Sequence, residues 1–283
     1  MRRFKGFLVG GVISWKPVNS LTDQLINLYF CPVYTLKKSL GQHFLKDENI
    51  CKKIVQALQQ HAFQRLLEVG PGGGALTKYL LELPGIDFKC VELDEEKVNW
   101  LLQTYPGLQN KIIHHDFLTV PQPFIEPFTL VGNFPYNISS QILFRVLEWK
   151  DSVQTVIGMF QKEVAQRVVA HEGNKVYGIL SVLVQAFFKV EYLFEVHENA
   201  FTPPPKVKSA VIRLTPVEQV PAMKSEKKFF LLVKTAFNQR RKTLRNAVKG
   251  LFTAEALQDP IFNKRAEQLT VHDFAQLTFK MNG

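Results

Sequence analysis

Cysteine is scarce in this chain, with three among 283 residues, at positions 31, 51 and 90. No two of them stand in a C-x-x-C spacing and no histidine cluster flanks them, so neither a disulfide framework nor a zinc site is expected. They read as free thiols of a reducing, cytoplasmic compartment. The chain also lacks a continuous apolar run long enough to cross a bilayer, which excludes a helical membrane span. Acidic residues fall short of basic ones, 25 against 35, for a net charge of +10. Hydrophobic residues reach 46%, which excludes wholesale disorder and is enough for a sizeable core.

The basic excess is uneven. Residues 216–283 carry 12 Lys/Arg against 6 Asp/Glu, whereas residues 36–215 are nearly neutral. A polyanionic partner would therefore be gripped mainly by the C-terminal part; the competing reading is basic surface that only aids solubility. At the other end Arg2, Arg3 and Lys5 precede a short apolar run, Phe7 to Ile13, with no acid before Asp23. This has a faint look of a targeting segment but no small-residue cleavage site follows. We read residues 1–35 as a disordered extension or an upstream start, and residues 36–215 and 216–283 as two domains.

No internal repeat interrupts the chain. Helical spacing runs from Asp47 to Gln60, followed by a strand at Arg65–Val69, a tight turn at Gly70–Gly74 and a helix from Ala75 to Leu83. The alternation continues with strands at Phe88–Leu93, Lys111–His114, Thr129–Val131 and Thr155–Met159 and a helix at Glu95–Thr104. Alternating strands and helices imply an α/β fold with a parallel sheet covered on both faces. Phe201–Val207, with Pro203, Pro204 and Pro205, reads as a stiff extended segment leading into a strand at Ala210–Leu214. From Lys224 the pattern is helical, with Phe229, Phe230, Val233, Ala236 and Phe237 on one face. A further helix is expected at Thr243–Lys249 with Gly250 as its stop.

Three clusters carry chemistry. Glu68-Val69-Gly70-Pro71-Gly72-Gly73-Gly74 joins a strand to a helix, a turn that lets the backbone approach a nucleotide. Alone it is weak evidence, because many tight turns share it. Glu92 ends the next strand, 22 positions after Gly70, where a carboxylate can accept from both hydroxyls of a ribose. Asp116, in His115-Asp116-Phe117-Leu118, can accept from the exocyclic amine of a cofactor adenine, or simply cap a turn. A nicotinamide-dependent oxidoreductase remains compatible up to this point.

Asn133-Phe134-Pro135-Tyr136 narrows the choice. The amine of adenine is a poor nucleophile because its lone pair is delocalised into the ring. The Asn133 side-chain oxygen and the Phe134 carbonyl can each accept one amine N–H and turn the lone pair toward a methyl donor. Pro135 fixes the turn and Tyr136 offers a flat face for an extruded base. No general base is needed, because the cationic nitrogen formed by transfer loses its proton readily. An ordinary Asn-x-Pro turn is the plain alternative.

With these blocks the chain resembles the ribosomal RNA small-subunit adenine N6,N6-dimethyltransferases of the KsgA/RsmA type. The resemblance spans Leu36 to about Gly250 and rests on Ser39–Leu45, Glu68–Thr77, Val91–Asp94, Asn133–Ser140, Phe201–Ser209 and Ala236–Asn246. It implies a Rossmann-like class I methyltransferase with a mostly parallel seven-stranded sheet and a small α-helical C-terminal domain. It implies S-adenosyl-L-methionine as cofactor, no metal, and dimethylation of two adjacent adenines near the 3′ end of small-subunit rRNA within a pre-ribosomal particle. A monomer without membrane association is expected. In that resemblance His43 and Leu45 close over the cofactor, Gly70 and Gly72 border its methionine end, Glu92 holds the ribose and Asp116 the adenine. Asn133 stands between cofactor and target amine, and Phe201 stacks on the base opposite Tyr136. His43 stands where many relatives have Asn, and Phe134 where many have Leu. Lys206 and Lys208 would hold RNA near the flipped base, and Arg240, Arg241, Lys242 and Arg245 would contact phosphates. The competing readings are a resistance-type large-subunit rRNA methyltransferase and a relative that acts chiefly by binding nucleic acid.

Overall fold

The computed structural model describes the backbone of residues 4–9 and 12–17, and residues 43–282 in full. Strands β1 (Phe4–Val9) and β2 (Val12–Pro17) pair antiparallel within a unit spanning Met1–Leu36. The rest of the chain forms a second unit, and it is described by itself below. The expectations for Cys31, Leu36 and the Ser39–Gln42 part of its block lie outside the described residues.

The second unit opens with a two-residue strand β3 (Phe44–Leu45) and helix α1 (Glu48–Leu58). Asp47 starts that helix, its carboxylate accepting from the amides of Asn49 and Ile50 at 2.9 and 3.3 Å, an N-cap worth about 1 kcal/mol. There follow β4 (Arg65–Val69), α2 (Thr77–Leu80), β5 (Asp87–Glu92), α3 (Glu95–Thr104), β6 (Ile112–His114), β7 (Phe128–Asn133), α4 (Ser139–Glu148) and β8 (Val153–Gln161). Next come α5 (Lys162–Val169), α6 (Ile179–Gln185), β9 (Phe188–Val196), β10 (Phe201–Thr202) and β11 (Ser209–Pro216). The chain ends with α7 (Glu226–Asn238), α8 (Leu244–Ala247) and α9 (Val271–Leu277).

Seven strands form one sheet in the order β6-β5-β4-β7-β8-β11-β9, and only β11 runs against the others. This is the mostly parallel, Rossmann-like seven-stranded sheet that the resemblance implied. Strands enclosed on both faces are mostly apolar, and β4, β7 and β8 are, with Glu68 the one buried acid among them. The chain winds outward from β4 to β6, then returns to lay β7 on the other side of β4. The loops after β4 and β7 therefore diverge from adjacent strand ends. A crevice opens there, the place where such sheets bind ligands.

The helical expectations hold in position more than in length. The segment after the glycine turn is α-helical only over Thr77–Leu80, and tighter turns carry it on, with Tyr79 N–H bonding to the Leu76 carbonyl and Leu83 N–H to the Leu80 carbonyl. Gly250 does not stop a helix. The short helix Leu244–Ala247 ends earlier, and Gly250 lies inside a following 3-10 turn, Lys249–Leu251. Helix α7 buries Phe229, Leu232, Val233 and Ala236, with Phe230 and Phe237 half-buried beside them. These side chains join the same hydrophobic core as Phe128, Ile142 and Val156 of the sheet layer. The C-terminal helices thus share the core of the sheet.

Phe134 has its place because two neighbouring strands give up a side chain each. Gly132 of β7 pairs with Gly158 of β8. A Cβ at Gly132 would lie 2.6 Å, and one at Gly158 2.4 Å, from the Phe134 ring. The ring is fully buried and meets Phe160 edge-on at 4.9 Å. The Phe134 ring thus fills the space that side chains at positions 132 and 158 would otherwise take.

Candidate active site

The loops after β4, β5, β6 and β7 surround a cavity of about 190 Å³. Its lining includes His43, Leu45, Gly70, Gly72, Glu92, Asp116, Asn133, Phe134, Pro135 and Tyr136. All the residues assigned from the sequence to cofactor and target amine, except Phe201, therefore meet at one place. Phe201 is fully buried, pairs with Leu45 between strands β10 and β3, and is not among the lining residues.

The floor is the glycine turn. Gly70 and Gly72 have φ of +66° and +55°, in the left-handed region that disfavours any side chain. A Cβ at Gly72 would come within 3.4 Å of the Phe44 ring. Glu92 holds the turn in place. One carboxylate oxygen accepts from Gly72 N–H at 3.0 Å, and the other accepts from the amides of Leu93 and Asp94, both at 3.0 Å. The side chain is 6% exposed. Three amide donors satisfy a buried carboxylate and still leave lone-pair capacity on the oxygen toward Gly72, which a ribose hydroxyl can use. Sequence reading gave Glu92 the ligand role and missed this structural one.

Glu68 was not singled out from the sequence. It lies buried on β4, lines the cavity and accepts a hydrogen bond from the Thr77 hydroxyl at 2.7 Å. Burial lifts its pKa to about 8, against the lowering effect of the Thr77 bond and with nearby Glu92 adding to the rise. It is therefore mostly protonated at neutral pH, and two carboxyl groups share the pocket without two full charges. An acid interrupting an otherwise apolar strand, directly before the glycine turn, was the available signal.

Asp116 makes the turn weighed for it and also faces the cavity. Its carboxylate accepts from Leu118 N–H at 2.9 Å, an Asx turn, while the residue lines the cavity beside buried Phe117. Opposite, the Asn133 amide nitrogen donates to the His43 carbonyl at 3.1 Å. That bond fixes which end of the amide faces inward, leaving the Asn133 oxygen as an acceptor. The Tyr136 ring is held by a hydrogen bond between its hydroxyl and that of buried Ser209 on β11. That contact joins residues 73 positions apart and has no local sequence signature. The His43 ring stacks on Tyr136 with centroids 5.3 Å apart.

The basic residues lie elsewhere. Lys206 and Lys208 are exposed on the approach to β11. Arg241 and Lys242 are exposed, and Arg245 is half-buried on α8. Arg240 is not a free cation: its guanidinium pairs with Glu267 at 2.6 Å and donates to the Lys175 carbonyl. Among the described residues no group of His, Cys, Asp and Glu could hold a metal ion, and no helix is long and apolar enough to cross a membrane. Cys51 and Cys90 are buried, and burial pushes both thiols up, which leaves them poor nucleophiles.

A family model described as "Ribosomal RNA adenine dimethylase" matches residues 33–281. A Flavobacterium johnsoniae protein named "Ribosomal RNA small subunit methyltransferase A" is 53% identical over 249 residues, 87% of this chain and 95% of that protein. A protein of the same name from Porphyromonas gingivalis is 47% identical, over 86% of this chain and 96% of that one. Among solved structures, a dimethyladenosine transferase from Plasmodium falciparum superposes with a TM-score of 0.72 at 26% identity, over 83% of this chain and 96% of that chain. The 23S rRNA methyltransferase ErmE shares the fold, with a TM-score of 0.63 at 24% identity, over 82% of this chain and 99% of that one. The glycine turn held by Glu92, the oriented Asn133 and the match along nearly the whole chain agree: the chain belongs to the ribosomal RNA adenine dimethylase family.

Proposed function

We propose that this enzyme dimethylates N6 of two adjacent adenines near the 3′ end of small-subunit rRNA, drawing the methyl groups from S-adenosyl-L-methionine. The observation that carries the reading is Asn133, which lies at the end of β7 with its amide nitrogen committed to the His43 carbonyl and its oxygen left to accept. The residues present fit the cofactor: glycines at positive φ in the turn that lines the cavity, Glu92 for the ribose, and Asp116 beside Phe117 and Leu118 for the adenine. S-adenosylmethionine, when bound, supplies an electrophilic methyl group. Asn133 and the Phe134 carbonyl accept the two N–H groups of the target amine. The freed lone pair would then face the methyl group, whose bond to the cofactor sulfur breaks as the bond to N6 forms, the sulfur leaving as a neutral thioether and the amine proton passing to water. A monomethylated amine has one N–H left, so one of the two acceptors goes unpaired in the second transfer.

The substrate assignment draws on the relatives. The two most informative are named as small-subunit methyltransferases, at 53% and 47% identity. A cytoplasmic monomer acting on a pre-ribosomal particle is the matching context, with residues 216–283 as the RNA-gripping part. Purified chain given labelled cofactor should methylate small ribosomal subunits lacking the modification and leave large subunits unlabelled. Label confined to large-subunit RNA would favour the resistance-type reading.

The grip is also testable. Arg241 and Lys242 are exposed. Replacing both by alanine should weaken RNA binding and reduce the salt slope by roughly two, about one per lost phosphate contact. Arg245→Ala should add a smaller loss. Arg240→Ala should act mainly on stability, because it breaks the tie to Glu267 and Lys175. Binding isotherms at several salt concentrations check this, and an unchanged slope in the double variant would remove these residues from the RNA path.

A further inference from the structure

Tyr136 is the flat surface proposed for the flipped adenine, yet one of its faces already carries a ring. The imidazole of His43 lies over it at 5.3 Å and 30° between planes. Both residues line the cavity. Each ring is fixed from outside the pair. The Tyr136 hydroxyl bonds Ser209, and His43 Nδ1 is 2.9 Å from the Pro203 carbonyl. The chain around His43 is pinned as well. Phe44 and Leu45 pair with Thr202 and Phe201, and Lys46 N–H bonds the Ala200 carbonyl at 2.8 Å. The result is a short ribbon that presents a heteroaromatic ring to the tyrosine, and Phe201 lies fully enclosed in that same ribbon.

We propose that the His43 side chain is a specificity-determining stand-in for the target base: it occupies the stacking face of Tyr136 until an adenine displaces it. This rests on the adenine-methylation reading given above. Two observations favour it over a cofactor contact for the side chain. The ring of His43 is engaged with Tyr136, the residue proposed to stack on the base, and with the Pro203 carbonyl, which lies outside the cavity lining. Its contribution next to the cofactor is made by the main chain, whose carbonyl orients Asn133 and survives any substitution at this position. An adenine must offer more stacking than the imidazole it replaces. A purine has two fused rings and does, whereas a pyrimidine gains little over a five-membered ring. The exchange therefore sharpens selection for purines and keeps the Tyr136 face covered between turnovers.

The test compares His43→Ala with His43→Phe in the full chain, by steady-state methylation of small subunits lacking the modification and by titration calorimetry with S-adenosylmethionine. Removing the ring should lower KM for the RNA substrate about threefold to tenfold, the scale of one aromatic stack. His43→Phe keeps a ring on Tyr136 and should leave KM unchanged or raise it. Cofactor affinity should move less than about twofold in both. A 2-aminopurine placed at the target position of a short single-stranded RNA gives an independent readout, binding more tightly to His43→Ala than to the native chain. Weaker cofactor binding in His43→Ala, or a KM for RNA that rises or does not move, would overturn the assignment. Failure of the native chain to methylate small subunits at all would instead overturn the reading on which it rests.

Discussion

Replacing Asn133 by alanine is expected to lower kcat by about 10²-fold to 10³-fold while S-adenosylmethionine still binds. The loss is that of one preorganised polar group acting at the transition state. Two geometric facts set its size. The amide is not free to rotate, because its nitrogen is bound to the His43 carbonyl. Its position is fixed by a strand end whose following residue, Phe134, is locked between Gly132 and Gly158 and bonded through its N–H to the Met159 carbonyl at 3.1 Å. An acceptor aimed in advance costs no reorganisation when the amine arrives. Alanine at this site leaves the backbone and the Phe134 carbonyl in place, so one of two acceptors survives. Titration calorimetry for the cofactor, beside single-turnover methyl transfer, separates the two effects. Near-normal turnover would sink the proposed role.

Glu92→Ala should act in the opposite way, through binding and stability. Its carboxylate is the acceptor for three amide N–H groups, those of Gly72, Leu93 and Asp94. Truncation leaves buried donors unpaired, each costing about 1–3 kcal/mol if water does not enter. It also removes the proposed acceptor for the ribose, expected to cost about 1–3 kcal/mol of cofactor affinity, roughly tenfold to a hundredfold in Kd. A depressed melting temperature together with weaker cofactor binding is the expected pair of results. Glu92→Gln keeps one oxygen acceptor and should lie between. If Glu92→Ala melted like the native chain, its hold on the glycine turn would be unimportant.

Much of this was legible from the residues because the cofactor side is built from strand ends. A short apolar strand running into Gly70–Gly74, and an acid closing the next strand at Glu92, are local patterns. The structure places them where the sequence did. What escaped is non-local. The Ser209 bond to Tyr136 and the Thr77 bond to Glu68 depend on how elements pack, which periodicity does not encode. Arg240 sat in a run of cations that reads as solvated or phosphate-binding, and only the fold brings Glu267 beside it. Phe201 reads as a stacking residue, yet its strand pairing with Leu45 encloses it. Helices α4, α5, α6 and α9 and the edge strand Phe188–Val196 were not delimited. Phe188–Val196 alternates apolar and polar residues except at Leu193, so a period-2 signal for this strand was present in the sequence.

The Asn133 site is proposed to methylate two adjacent adenines of the small-subunit RNA. The direct measurement is mass-spectrometric mapping of rRNA from cells lacking the gene, complemented with either the native chain or Asn133→Ala. Two adjacent N6,N6-dimethyladenosines near the 3′ end of small-subunit RNA are expected, restored by the native chain and absent with Asn133→Ala. Restoration by both chains, or modification appearing only in large-subunit RNA, would contradict it.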